Sequence, residues 1–487
     1  MIRPAALALL STALVALAAP AAPLAPHPAA AWTLPPAIAT ALANAHVPAS
    51  ALALWVQPVD AGGPSWGWNA DFGVNPASVF KLTTTSAGLD LLGPAWSWKT
   101  PVYLTGPVQG GVLKGSVVIR GTGDPSLVLE RVWLLLRQLR NAGVRDIRGD
   151  IVLDHTAFAS NPHSAADFDN APSEPYNVLP DALLLNFKSV TLSFQPDAAR
   201  RVAHVVAEPP LAGFAVDATV PLARGNCDDW RGALKLAWGD ATRWHFSGAY
   251  PAACGARNWP LAFPDPASYD TRLVAALWRE AGGRLSGHVR DGTTPADATL
   301  AFEFASPPFA EIVRDINKYS NNTMAEQVLL TLALHAANGA DATGVTQEQA
   351  LAVLKQWLHE RLGPAADGVV AVNGSGLARG TRISARTLAQ LLQTDWNSPA
   401  MPELMSSLPL NGVDGTLRKS TATTARAHLK TGSMRDVAAI AGYVLADSGR
   451  RYILVAVIND ANAGAAHPAL DAVIDWVAHD PAQVPRP

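Results

Sequence analysis

Ser78 and Lys81 stand three positions apart in the stretch Asn75-Pro76-Ala77-Ser78-Val79-Phe80-Lys81. On a helix that spacing stacks both side chains on one face, about one turn apart. A serine hydroxyl is a poor nucleophile until a neighbouring base takes its proton, and a desolvated lysine beside a second cation can be that base. Taken alone, Ser-x-x-Lys is most often a helix start with a solvated lysine. Lys81 is, however, the one lysine of the chain with a serine three residues before it. The helix needed to hold the pair is legible: Pro76 marks its start and Ser78-Val79-Phe80-Lys81-Leu82 continues it, with Gly88 as the first breaker.

Two further triplets could join that pair. Ser320-Asn321-Asn322 separates two helical stretches, 308–318 and 323–336, where Ser and Asn are expected for capping alone. Lys430-Thr431-Gly432 ends an apolar strand at 427–430 and passes into a Gly-Ser turn, again an ordinary arrangement. Each triplet by itself is a weak signal. Each of the three motifs occurs once, and they come in the order Ser-x-x-Lys, Ser-x-Asn, Lys-Thr-Gly, at a helix start, an inter-helix loop and a strand end.

Together these motifs resemble the signature elements of the serine penicillin-recognising enzymes, which include the penicillin-binding proteins and serine β-lactamases. The long interval between Lys81 and Ser320 resembles the type-4, low-molecular-mass class C penicillin-binding proteins. These are D-alanyl-D-alanine carboxypeptidase/endopeptidases with a region inserted after the first motif. Further stretches look like that family: Arg120-Gly121-Thr122-Gly123-Asp124-Pro125-Ser126-Leu127, Asn373-Gly374-Ser375-Gly376-Leu377, Gly412-Val413-Asp414-Gly415-Thr416-Leu417 and Lys430 to Val437. The resemblance runs from Trp32 to Val477 and departs at Asn373, where the family usually has Asp, so a charge-dependent role there is in doubt.

The resemblance implies an α/β (α+β) fold: a transpeptidase-like domain with an antiparallel sheet flanked by helices, and a large, mainly β insertion after the Ser78 helix. The expected division is a leader at 1–31, a catalytic domain from 32–99 plus 256–487, and an inserted region at 100–255 of one or two subdomains. It also implies acyl transfer without metal or cofactor. Ser78 would attack the carbonyl between two D-alanines of a peptidoglycan stem peptide, with Lys81 as base and Lys430, together with burial, depressing its pKa. Ser320 would relay a proton to the leaving amine and Asn322 would hold Lys81 and the substrate amide. Lys430 and Thr431 would bind the terminal carboxylate. Gly432 lies between them and Ser433, whose backbone N–H would join that of Ser78 as the oxyanion site. β-Lactams would acylate the same serine. Two rival readings keep the motifs but change the outcome: a β-lactamase or esterase-like hydrolase, and a non-catalytic peptidoglycan-binding scaffold.

The rest of the chain constrains this picture. With 487 residues, 49% hydrophobic and 16% charged, it can bury large cores over two to three domains. A net charge of -3 offers no electrostatic case for nucleic acid. There is no His-Glu-x-x-His and no Cys-x-x-Cys. Arg3 followed by an apolar run at 5–19 reads as an export signal too short to span a bilayer, and the C-terminus has no amphipathic anchor. A periplasmic or otherwise extracytoplasmic location follows. There the pair Cys227 and Cys254 is most simply a disulfide, the alternative being two unrelated buried thiols. In the inserted region, expected strands at 111–120, 148–153, 190–194, 202–207, 233–238 and 244–247 surround one helix at 127–142. The Asp/Pro/Ser/Asn-rich stretch 161–180 reads as a surface excursion. Asp124 reads as a turn-stabilising residue.

Overall fold

The apolar run after residue 51 forms the strand Leu52–Pro58, second from one edge of a five-stranded antiparallel sheet. Its neighbours are Trp66–Trp68 on one side and Arg451–Asn459 on the other, followed by Val437–Leu445 and, at the edge, Ala427–Met434. These observations come from a computed structural model that describes residues 33–60, 62–337 and 342–481. The expected leader at 1–31 lies outside the described residues.

Burial on both faces explains why the central strands read as unbroken apolar runs rather than alternating ones. Leu52, Leu54, Leu454, Ala456 and Ile458 face the helices Pro36–Asn44 and His467–Ala478. Ala53, Trp55, Ile453, Val455 and Val457 face the opposite layer, built from Lys81–Leu91, Phe309–Tyr319, Asn322–Ala336, Gln347–Leu362 and Ala385–Trp396. Gly88 does not break its helix, which continues to Leu91. The position is instead where Phe309 presses closest, since a Cβ there would lie 2.5 Å from its ring.

The inserted region has its own core. One five-stranded sheet runs in the order Val289–Asp291, Ile151–Asp154, Val117–Arg120, Lys99–Leu104, Thr299–Ala305. A second comprises Tyr250–Pro251, Thr219–Ala223, Val202–Glu208, Ser189–Asp197 and Arg257–Ala262. The helix Leu129–Asn141 buries Val132, Leu135, Leu136 and Leu139 against this core, as its spacing predicts. Helix Pro266–Glu280 packs there too. We propose that the inserted region be taken to Ala305, because strands after residue 255 pair with its sheets. The expected strand at 233–238 begins inside a short helix, Trp230–Leu234, capped by the Asp229 carboxylate on Gly232 N, and only Leu236–Ala237 is extended. Cys227 and Cys254 are disulfide-bonded, with Cα atoms 4.9 Å apart.

Candidate active site

A single 3₁₀ turn, Ala77–Phe80, carries Ser78 and leads directly into the helix Lys81–Leu91. Ala77 adopts φ 46°, a left-handed conformation that costs a residue with a Cβ on the order of 1 kcal/mol. Buried Asn75 holds that conformation, its Oδ1 accepting from the Ala77 N–H at 2.9 Å. The turn thereby presents a half-buried Ser78 at the end of a rigid helix.

Lys81 is completely buried. Its Nζ donates to Ser78 Oγ at 2.8 Å, Asn322 Oδ1 at 2.6 Å and the Ser375 carbonyl at 2.8 Å. Three acceptors match the three protons of an ammonium. A neutral amine keeps two protons and one lone pair. Of its three partners only the Ser78 hydroxyl has a proton to give, so the lone pair must point at Oγ. Burial brings the Lys81 pKa down to about 7, while the Glu326 carboxylate pulls it the other way. Of the two expected causes, burial is the one that lowers Lys81, and repulsion from Lys430 does not contribute. Lys430 itself is held well below the ordinary lysine value, first by burial and then by Lys81.

Ser320 and Asn322 arrive from the junction between two helices. Ser320 closes Phe309–Tyr319 in a left-handed conformation, φ 57°, and Asn321 caps the next helix by accepting from Met324 N at 3.0 Å. Ser320 caps through its backbone and Asn321 through its side chain, which leaves the Ser320 and Asn322 side chains to the site. Lys430 Nζ donates to Ser320 Oγ at 2.9 Å and to the Thr431 carbonyl at 2.7 Å.

The strand bearing Lys430 does not end at the motif but continues to Met434. Gly432 brings it against the serine turn, since a Cβ there would fall 2.4 Å from the Pro76 carbonyl and 3.1 Å from Ser78 N. Only glycine permits that approach, and it sets exposed Ser433 beside the serine turn. Thr431 Oγ1 shares a 2.6 Å hydrogen bond with Thr416 Oγ1, so two hydroxyls stand together, one of them next to Lys430 in the chain. Asn373 closes its own loop: Oδ1 accepts from Gly376 N at 2.9 Å and Nδ2 donates to Leu377 O at 3.2 Å. A neutral amide serves here, and the donated bond is one a carboxylate could not make.

The structure thus gathers Ser78, Lys81, Ser320, Asn322, Lys430, Thr431, Gly432 and Ser433, while the cystine lies apart in the inserted region. A cavity of about 390 Å³ adjoins Asn322 and Ser375, and the excursion at 161–180 lines it through Phe168, Tyr176 and Leu179. Sequence reading missed Glu326, Thr416 and Asn459. Glu326 follows Asn322 by one helical turn and accepts from Gly374 N at 3.0 Å and Ser375 N at 2.9 Å, a spacing that could have flagged it.

Residues 34–479 match the D-Ala-D-Ala carboxypeptidase 3 (S13) family. The chain is 28% identical over 428 residues to a D-alanyl-D-alanine carboxypeptidase from an Actinomadura species, covering 83% of this chain and 76% of that protein. Its fold superposes on penicillin binding protein 4 from Haemophilus influenzae with a TM-score of 0.71 at 19% identity, covering 87% of this chain and 96% of the other. A predatory endopeptidase from Bdellovibrio bacteriovorus, acylated by penicillin G and bound to an immunity protein, gives a TM-score of 0.52 at 14% identity over 88% of this chain and 91% of that one.

Proposed function

The chain belongs to the D-Ala-D-Ala carboxypeptidase 3 (S13) family, and on that premise we propose that it is an exported serine D-Ala-D-Ala carboxypeptidase that also opens D-alanyl cross-links in peptidoglycan. The observation that carries this reading is the placement of Lys81 Nζ on Ser78 Oγ with two other partners that can only accept. With a pKa near 7, a large share of Lys81 is neutral at physiological pH and can take the hydroxyl proton.

Ser78 Oγ attacks the carbonyl of the penultimate D-alanine. The developing oxyanion lies between the backbone N–H groups of Ser78 and Ser433, donors of a kind worth roughly 3–4 kcal/mol in the transition state. Ser320 passes its proton to the departing amine and takes one in return from Lys430, whose Nζ donates to that hydroxyl and keeps the oxygen oriented. Lys430, Thr431 and Thr416 receive the terminal carboxylate. Water then opens the ester on Ser78, releasing the shortened peptide. A β-lactam follows the same acylation, but its leaving amine stays tethered.

An extracytoplasmic setting is supported by the disulfide and by the apolar leader-like sequence. Among the described residues no helix is long and apolar enough to cross a membrane. Labelling with a fluorescent penicillin tests the reading, with D-alanine release from a stem pentapeptide followed by mass spectrometry. Wild type should label and release D-alanine, and Ser78→Ala should do neither. An unlabelled wild type, or a fully labelled Ser78→Ala, overturns it.

A further inference from the structure

The inserted region reaches the site through the segment 176–182, which lies along the start of the helix Asn322–Ala336. Tyr176 O accepts from Asn322 Nδ2 at 3.0 Å and Val178 O accepts from Thr323 Oγ1 at 3.1 Å. Buried Gln327 then clasps Asp181 from both sides: its Oε1 accepts from Asp181 N at 3.0 Å and its Nε2 donates to Asp181 O at 2.9 Å.

The far end of the segment is anchored twice. The Asp181 carboxylate takes Lys188 Nζ at 2.6 Å and Leu183 N at 2.9 Å, and pairs with His155 Nδ1 at 2.5 Å. Lys188 also lies 3.1 Å from buried Asp270, so a lysine ammonium serves both carboxylates. One residue on, Ala182 O accepts from Gly123 N at 2.7 Å, and a Cβ on Gly121 would fall 2.3 Å from that same oxygen. The stretch Arg120 to Asp124, which takes no part in the chemistry, thus seats the segment. Asp124 itself braces the turn by accepting from Ser126 N at 2.8 Å and Ser126 Oγ at 2.6 Å.

The Asn322 amide can point either way about its last torsion. Reversed, its NH₂ would face the N–H bonds of Lys81, and its oxygen would face the Tyr176 carbonyl. Both contacts would be repulsive. The backbone carbonyl of Tyr176 therefore decides that Oδ1, and not Nδ2, is presented to Lys81. We propose that segment 176–182 is a strap by which the inserted region fixes the Asn322 amide on Lys81, with Gln327 as its positioning residue. This rests on the reading of Lys81 as the base that activates Ser78.

A double-mutant cycle on the acylation rate by fluorescent penicillin tests the strap. Gln327→Ala should slow acylation about tenfold, as expected when a reacting group is displaced by a fraction of an ångström. Asn322→Ala should slow it further. In the Asn322→Ala background, adding Gln327→Ala should change the rate less than twofold. The pH profile supplies a readout that loss of stability alone would not move. A Lys81 ammonium deprived of its amide acceptor loses its proton more readily, so the acid limb of Gln327→Ala should shift to lower pH, with the charged neighbours Glu326 and Lys430 left in place. An unchanged rate in Gln327→Ala, or losses that simply multiply in the double variant, overturns the strap while leaving the functional reading intact. Full labelling of Ser78→Ala would overturn that reading instead. Should Gln327→Ala fail to fold, the near-isosteric Thr323→Val removes the Val178 contact alone and carries the same expectations at about threefold.

Discussion

Asn459 and Asn75 exchange two hydrogen bonds: Asn459 Oδ1 accepts from Asn75 N at 2.8 Å, and Asn459 Nδ2 donates to Asn75 O at 2.9 Å. The last residue of a central strand thereby holds the backbone three positions before the proposed nucleophile. Asn459→Ala leaves both Asn75 groups without that partner at a largely buried site. The expected loss is about 1–3 kcal/mol of stability and ten- to a hundredfold in acylation rate. Thermal melts and penicillin-binding kinetics measure the two, and a destabilised variant that acylates at the wild-type rate would mean the turn is held by other contacts.

Acylation should rise with pH through about 7, as Lys81 loses its proton and becomes able to accept one from Ser78. The Glu326 carboxylate favours the ammonium and so holds that limb up. Glu326→Gln should therefore move it to lower pH, which profiles of kcat/KM for D-alanine release between pH 5 and 9 would show. A shift in the opposite direction would refute the assignment of the limb to Lys81.

Gly432→Ala should be among the most damaging small substitutions. The added methyl would meet the Pro76 carbonyl at 2.4 Å, backbone against side chain, where neither can rotate away. The strand must retreat, taking Ser433 N from the oxyanion position, and a loss of about 10²–10³ in acylation is expected. Retained substrate affinity with the rate lost is the pattern to look for.

Asp395 is buried with one oxygen accepting from Ser86 Oγ at 2.7 Å, and burial, reinforced by Asp90, pushes its carboxyl up to about 7. An acid whose folded pKa is raised binds its proton more tightly when folded. Its contribution is thus present below the unfolded value near 4 and is lost as pH rises to about 7. Asp395→Asn removes this dependence. The melting temperature of the variant relative to wild type should become more favourable between pH 5 and 8, and a constant difference would contradict the shift.

The site was readable in sequence where chemistry restricts the residue type. Ser78, Lys81, Ser320, Asn322 and Lys430 have few substitutes for the roles proposed for them, and their spacing survives as short motifs. What escaped was set by backbone geometry. Tyr176 acts through its carbonyl, so its side chain carries no signal. Asn459 follows the last strongly apolar residues of its strand and reads as the start of a loop. Glu326 acts on the backbone N–H groups of Gly374 and Ser375, so apart from its spacing from Asn322 nothing in its own helix announces it. The central strands were legible because burial on both faces makes them continuous, whereas Lys99–Leu104 and Thr299–Ala305 carry polar and charged residues that mask their pairing. Gly88 shows the same limit in reverse: its low helix propensity of about 1 kcal/mol is outweighed by the Phe309 ring packed against it.

The pairing of Asn75 with Asn459 also fixes when the enzyme can begin to work. The two residues are 384 positions apart, and the strand Leu52–Pro58 pairs over its whole length with the strand that Asn459 ends. A chain emerging from its N-terminus presents the serine early, beside a sheet whose partner strands do not yet exist. The inserted region, whose core draws on residues between 102 and 304, can assemble while the remainder is still arriving. Closing the central sheet is the long-range, slow event. A growing chain therefore lacks the assembled site, and its competence arrives late, with the final strands.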